Sequence, residues 1–408
     1  MERYLPRQLS EQIQELIAHF PCVVITGARQ VGKSTLLKEL FPDYNYVLFD
    51  PVEDVENARL DPSLFLRNRP TPLILDEIQY APEVVAAVKR AIDHDRKPGQ
   101  FILTGSQQWG VMKNLADSLA GRAIIVELDP FSLGEIAKNP PKEPWFERWL
   151  QDPENFSCSK LELPYVPYEC IWRGFFPEAQ FLPLKLVHRF HAAYQKTYVE
   201  RDMRQMANVS NLQLFTRFIR LVAALTAQEI NYNQLGRDID IDGTTAKRWL
   251  MILRETFEWH EIPAFSRNMV KRVSLKSKGY FADTGQVCFS QAVSTPHDLP
   301  SHPLWGAIFE NAVVNEVRKQ CSWMSAAPNL YHWRVHSGAE CDLIAEWNGK
   351  YYPIEIKATS HPKKQDASGI AAFRKSYPSL NVQRGVVICF TESPVILTPD
   401  TLAIPWNI

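Results

Sequence analysis

Two groups of residues have the types and spacing to do phosphate chemistry. The run Gly27-Ala28-Arg29-Gln30-Val31-Gly32-Lys33-Ser34, followed by Thr35, fits G-x-x-x-x-G-K-[ST] and lies directly after the apolar run Val23-Val24-Ile25. Its glycines let backbone N–H groups converge on phosphate oxygens, and the helix that follows adds a positive dipole. Lys33 is placed to reach the β- and γ-phosphates, and Ser34 to ligate Mg2+. A second string, Leu73-Ile74-Leu75-Asp76-Glu77, ends an apolar strand in two carboxylates. Asp76 is expected to hold Mg2+ and Glu77 to polarise an attacking water. An apolar-D-E string alone is common by chance; paired with the glycine loop it points to ATP, or another nucleoside triphosphate, and Mg2+ as cofactors. Ser106, at the tip of the strand Phe101 to Leu103, is a candidate γ-phosphate sensor or simply a turn residue. Arg122 is a candidate arginine finger, in cis or from a neighbouring subunit, or an ordinary exposed cation.

The second group is C-terminal. Gly338-Ala339-Glu340-Cys341-Asp342 and Tyr352-Pro353-Ile354-Glu355-Ile356-Lys357 read as strands joined through the turn Asn348-Gly349. Side chains repeat every two residues along a strand, so Glu355 and Lys357 share a face. With Asp342 on that face and Glu310 on the preceding apolar helix, the carboxylates form an oxygen-ligand set suited to Mg2+ or Mn2+. Lys357 is then placed to orient or deprotonate a water attacking phosphate. An E-x-K hairpin by itself is usually a solvated face; the ordered set Glu310, Asp342, Glu355, Lys357 is what points to a nuclease-like fold.

These residues need elements to carry them. A helix from Ser10 and a buried strand lead into the glycine loop. Further short apolar strands at Tyr46 to Phe49, Leu73 to Leu75, Phe101 to Leu103 and Ile124 to Val126 alternate with helices, as in a parallel α/β sheet. Between Asn139 and Pro183 repeated prolines break any long element, while interleaved aromatics such as Trp145, Trp149 and Trp172 argue for packing against a neighbour. Then come an apolar helical face at Leu212, Phe215, Phe218, Ile219, Val222 and Leu225, a helix-turn-helix pattern through Asp240 to Gly243, and an alternating stretch from Ile262 to Phe281 read as a hairpin. The sum is a winged helix, with Lys247, Arg248, Lys271 and Arg272 as candidate DNA contacts or ordinary surface cations.

At 408 residues the chain is long enough for two or three cores, and its formal net charge of -1 neither predicts nor excludes nucleic-acid binding. No run approaches the ~18 apolar residues of a membrane span, and the first residues lack the plan of a signal peptide, so a cytoplasmic location without a membrane partner is expected. The seven cysteines form no C-x-x-C pair and read as reduced, mostly buried thiols.

Taken in order, Ile25 to Ser34, Leu75-Asp76-Glu77-Ile78-Gln79, Leu103-Thr104-Gly105-Ser106, Tyr198-Val199-Glu200-Arg201-Asp202 and Gly338 to Asp342 make the chain resemble prokaryotic P-loop ATPases that pair an AAA-type domain with a DUF4143 domain. That resemblance implies ATP and Mg2+ binding, a winged-helix middle and a C-terminal fold like PD-(D/E)xK restriction nucleases. It assigns ATPase roles to Lys33, Ser34, Asp76 and Glu77, and nuclease positions to Asp342, Glu355 and Lys357. The proline-rich stretch departs from the pattern. The expected architecture is multidomain α/β: a parallel-sheet P-loop NTPase domain at 1–138, a Pro-rich linker or irregular subdomain at 139–185, a winged-helix domain at 186–290 and a restriction-endonuclease-like domain at 300–395. The expected activity is ATP hydrolysis controlling a DNA-binding, nuclease-like half, or a nucleotide-dependent switch with a catalytically silent nuclease-like fold. DNA and further copies of the chain are admitted as partners.

Overall fold

The computed structural model describes residues 4–49, 55–106, 119–139, 143–198, 212–268, 270, 272, 275–335 and 338–408. Pro140, Pro141, the string from Val199 to Asp202, Lys271 and Val273 lie outside the described residues. The chain forms two compact units, one of Met1–Phe131 with Glu255–Glu258 and one of Ser132–Arg254 with Trp259–Ile408.

The first unit is built on a five-stranded parallel sheet in the order β2-β3-β4-β1-β5, with β1 Cys22–Thr26, β2 Asn45–Leu48, β3 Leu73–Asp76, β4 Phe101–Gly105 and β5 Ala123–Glu127. The inner strands β1, β3 and β4 are buried along their length, as a parallel sheet covered on both faces requires. The helix Glu83–His94 turns Val84, Val85, Val88 and Ile92 into a core shared with Val24, Leu75 and Leu103. Because all five strands run the same way, Thr26, Asp76 and Gly105 emerge at one end of the sheet, where α/β folds place ligands. β4 lies between the glycine-loop strand and the acidic strand, so its tip separates the two motifs.

The second unit holds a six-stranded mixed sheet in the order β13-β14-β12-β11-β10-β9: β9 Asn329–Arg334, β10 Glu340–Trp347, β11 Lys350–Ile356, β12 Gly385–Cys389, β13 Val395–Thr398 and β14 Thr401–Pro405. β14 inserts between β12 and β13, so the domain runs to the last residues and not to 395. The segment 139–185 is no linker. Trp145, Phe146, Trp149, Trp172 and Phe175 are buried. The Trp149 ring meets Tyr352 edge-on at 5.5 Å, and the Tyr352 hydroxyl donates to Leu150 O at 2.7 Å. Proline limited this stretch to short helices, Trp145–Gln151, Pro167–Arg173 and Pro177–Phe181, without keeping it out of the core.

Helices Leu212–Ala224, Tyr232–Arg237 and Gly243–Glu255 appear where the periodicity placed them. The last is capped by Asp242, which accepts from Thr245 N at 2.9 Å. The hairpin is shorter than expected. β7 Trp259–Ile262 pairs antiparallel with β8 Lys278–Phe281, which also pairs with β6 Gln228–Glu229, while Val270 and Leu275 are exposed in the connection.

Candidate functional site

β1 delivers the chain into the glycine loop with no room for a side chain at its first residue, Gly27. Gly27 has φ +145°, and a Cβ there would overlap the Leu128 carbonyl oxygen; Gly32, at φ 95°, caps the helix Lys33–Leu40 from the left-handed region. Ala28 and Val31 are buried, while Gln30 and Thr35 are exposed. Lys33 is buried, and its ammonium donates to Gly27 O at 3.0 Å and Ala28 O at 2.8 Å. Arg29 donates to the Tyr80 hydroxyl at 3.1 Å. Arg7 braces the loop by donating to Val31 O at 2.7 Å and Asp129 O at 2.5 Å.

At the tip of β3, Asp76 is fully buried and accepts hydrogen bonds from the Tyr46 and Thr104 hydroxyls. The Tyr46 hydroxyl is also hydrogen-bonded by Ser34, so the serine and the aspartate expected to share Mg2+ face one phenol oxygen. Burial, and then Asp76, push the Tyr46 phenol up. A serine hydroxyl and a carboxylate are hard oxygen donors, and this pair fits Mg2+. Glu77 adopts φ 59°, and its N–H donates to Thr104 Oγ1 at 3.0 Å. Gln79 donates to the Glu77 carboxylate and, at 3.1 Å, to Ser106 Oγ.

The sensor position is therefore divided. Thr104 touches Asp76 and Glu77 directly, while Ser106 reaches Glu77 only through Gln79. Tyr46 and Gln79 were missed, although Gln79 stands two residues beyond Glu77 in a string singled out for its carboxylates. Arg122 is a correction. Ala123 pairs with Cys22, the first residue of β1, about 13 Å of strand from Thr26, so Arg122, one residue before it, lies at the opposite end of the sheet. It pairs there with Asp93 at 2.5 Å and cannot be a finger in cis.

In the second unit β10 and β11 pair antiparallel with Leu343 opposite Ile354, which sets Asp342 opposite Glu355 one step on. The register of β10 against β9 shifts between Cys341 and Ile344, around Asp342. Lys357 Nζ lies 2.5 Å from Glu355 Oε2 and 3.2 Å from Asp342 Oδ2, and the Ile356 N–H donates to the same Asp342 oxygen at 2.8 Å. The helix Ser368–Ser376 comes close enough to close over Glu355 only because residue 369 is glycine, where a Cβ would overlap Glu355 Oε1 and Glu340 O.

Lys278, the first residue of β8, also enters this cluster, 2.7 Å from Glu310 Oε1 and 3.8 Å from Asp342 Oδ1. Tyr280 also donates to Glu310, at 2.7 Å. Burial, joined by the Asp342 charge, pushes the Glu355 carboxyl up to about 9. Burial likewise pushes Glu310 up to about 7 against the pull of Lys278. Burial also opposes the Asp342 charge, but Lys278 and Lys357 outweigh it and hold that carboxyl low.

A divalent cation does not fit this arrangement. Among the described residues no three carboxylates, imidazoles or thiols are grouped as a metal site. Two ammonium groups stand among Glu310, Asp342 and Glu355, and each Asp342 oxygen faces one of them. The expected metal-ligand roles of Glu310, Asp342 and Glu355 are corrected accordingly.

Of the expected DNA contacts, Lys247 and Arg248 are exposed on the helix Gly243–Glu255. Arg272 is turned inward, paired with Glu346 at 2.9 Å and set against the Phe265 and Tyr331 rings. No helix among the described residues is long and apolar enough to cross a membrane.

A family model described as an AAA domain matches residues 19–137, and two described as domains of unknown function, DUF8612 and DUF4143, match residues 167–296 and 305–408. The uncharacterized proteins Mb2031c of Mycobacterium bovis and Rv2008c of Mycobacterium tuberculosis are each 26% identical to this chain over 401 residues, covering 98% of this chain and 83% of theirs. Among solved structures, the Walker-type ATPase PABY2304 of Pyrococcus abyssi gives a TM-score of 0.41 at 16% identity, over 70% of this chain and 95% of that one. The RuvB Holliday junction branch migration motor of Thermotoga maritima gives 0.32 at 15% identity, over 66% and 95%.

Proposed function

With an AAA domain over residues 19–137 as the premise, we propose that this chain is a Mg2+-dependent ATPase whose nucleotide state controls a DNA-binding, nuclease-like C-terminal region. The observation that carries the reading is the convergence, at one end of one sheet, of the Gly27 loop, Lys33, Ser34, Asp76 and a Glu77 held by its neighbours. Bound Mg2+ would supply positive charge to the triphosphate oxygens between Ser34 and Asp76.

The chain's own residues do the rest. Loop N–H groups bind the phosphates, and Lys33 exchanges its bonds to Gly27 O and Ala28 O for phosphate oxygens. Glu77, oriented by Gln79 and by its own N–H on Thr104, accepts a proton from the water it aligns for in-line attack. The exposed Lys247 and Arg248 lie on the second helix of a helix-turn-helix, which the chain follows with β7 and β8 of a small antiparallel sheet, an arrangement that supports a winged helix contacting DNA phosphates.

A second reading, a switch with a catalytically silent nuclease-like fold, is favoured by the two lysines inside the carboxylate cluster. ATP turnover should fall by about 100-fold or more in both Lys33→Ala and Glu77→Gln; native rates in both refute the ATPase assignment. Incubation with single-stranded, duplex and branched DNA plus Mg2+ or Mn2+, with Lys357→Ala as control, separates the two readings.

A further inference from the structure

Glu310 and Asp342 share one ammonium, Lys278, and Asp342 and Glu355 share another, Lys357, so the positive charge this cluster needs is covalently attached. Lys278 Nζ sits between Glu310 and Asp342, at 2.7 and 3.8 Å, with only 12% of its side chain exposed. Glu310 and Asp342 are equally withdrawn, at 13% and 5%, so these are not solvated surface pairs.

The lysine is also held in position. On the strand that carries it, the Phe281 N–H donates to Asn311 Oδ1 at 2.9 Å and the Phe281 carbonyl accepts from Asn311 Nδ2 at 2.9 Å and Asn315 Nδ2 at 2.9 Å. Asn311 neighbours Glu310 on the helix Trp305–Trp323, which fixes the spacing between Lys278 and its partner. Lys357, by contrast, is 35% exposed and reaches the cluster from its rim.

We infer that Lys278 is the built-in counter-cation of this cluster, standing where a divalent ion would stand. The native cluster then takes up neither Mg2+ nor Mn2+, and loss of this one ammonium opens the space between Glu310 and Asp342 to a divalent cation. The reason is charge and space together. A cation entering beside Lys278 meets a like charge out of water, where repulsion is weakly screened, and finds both Asp342 oxygens engaged.

The test is a Mn2+ titration of the intact, nucleotide-free chain, with free Mn2+ followed by electron paramagnetic resonance. It compares the native protein, Lys278→Met and the double variant Lys278→Met/Asp342→Asn. The native chain and the double variant should leave Mn2+ free, while Lys278→Met binds one ion per chain at least about tenfold more tightly than either. Saturable binding by the native chain that Asp342→Asn abolishes overturns the assignment, as does a folded Lys278→Met that binds no better than native. If Lys278→Met does not fold, the native chain and Lys278→Arg, which keeps the charge, decide. Thermal unfolding unmoved by Mg2+ supports the assignment, and a Mg2+-dependent rise in Tm that Asp342→Asn abolishes overturns it. Because no nucleotide is present, the outcome is read independently of ATP hydrolysis.

Discussion

The phosphate-facing end of the first sheet and the acidic face of the second both depend on a glycine at a point of close approach, but they use the space differently. At Gly27 the missing Cβ leaves main chain against main chain, the Leu128 carbonyl, at the start of the loop proposed to bind phosphate. At Gly369 the missing Cβ admits a helix over Glu355 and closes the site. One glycine begins a loop and the other seals polar groups in. Carboxylate chemistry at a strand tip is thus no sufficient sign of a metal site; what the neighbours do with the remaining lone pairs decides.

The sharpest way to break this contrast is Gly369→Ala. The added methyl group must displace Glu355 and the Glu340 carbonyl, so the second unit should lose about 3 kcal/mol in urea unfolding, with the ATPase rate per folded chain retained. An unchanged stability would mean that the cluster is not sealed. A smaller effect is expected from pH. Glu355 in the folded chain keeps its proton up to about 9, well above the unfolded value near 4.5, so folding takes up a proton in that window. Stability of the second unit should therefore fall as pH rises from about 5 to 9, with Glu310 contributing up to about 7. Glu355→Gln should flatten that slope; unfolding midpoints at pH 5, 7 and 9 would check it. The smallest effect belongs to Arg122→Ala, which removes an exposed pair with Asp93 far from the glycine loop. The unfolding midpoint should not move measurably, because solvent screens an exposed pair, and turnover should stay at the native rate. A large fall in turnover that depends on protein concentration would instead mark a finger acting between subunits.

The glycine loop was legible because its function is local. Phosphate binding by consecutive backbone N–H groups requires glycines and a lysine at fixed spacing, and the strand before them is apolar for its own reasons. Glu355 and Lys357 were legible for a similar reason, since strand alternation alone puts them on one face, and the β10–β11 register brings Asp342 to them. Lys278 was not, because its role comes from tertiary placement: a lysine opening the short strand Lys278-Gly279-Tyr280-Phe281 looks like any edge cation until Glu310 is seen opposite it. In the proline-rich stretch two signals separate. Proline restricts element length, which is a local property, whereas burial of Trp145, Phe146 and Trp149 depends on what lies across from them. Tyr46 and Gln79 fall between these cases, polar side chains on neighbouring elements that converge on Asp76 and Glu77 without any repeating pattern.

Lys33 resting on the carbonyls of Gly27 and Ala28 carries one more consequence. Its ammonium has already given up bulk water during folding, so its dehydration belongs to the stability of the apo protein and not to the encounter with nucleotide. Recognition then becomes a swap of acceptors at nearly constant hydration. On that basis a triphosphate should be captured with a modest heat-capacity signature, small beside the rearrangement of the loop itself.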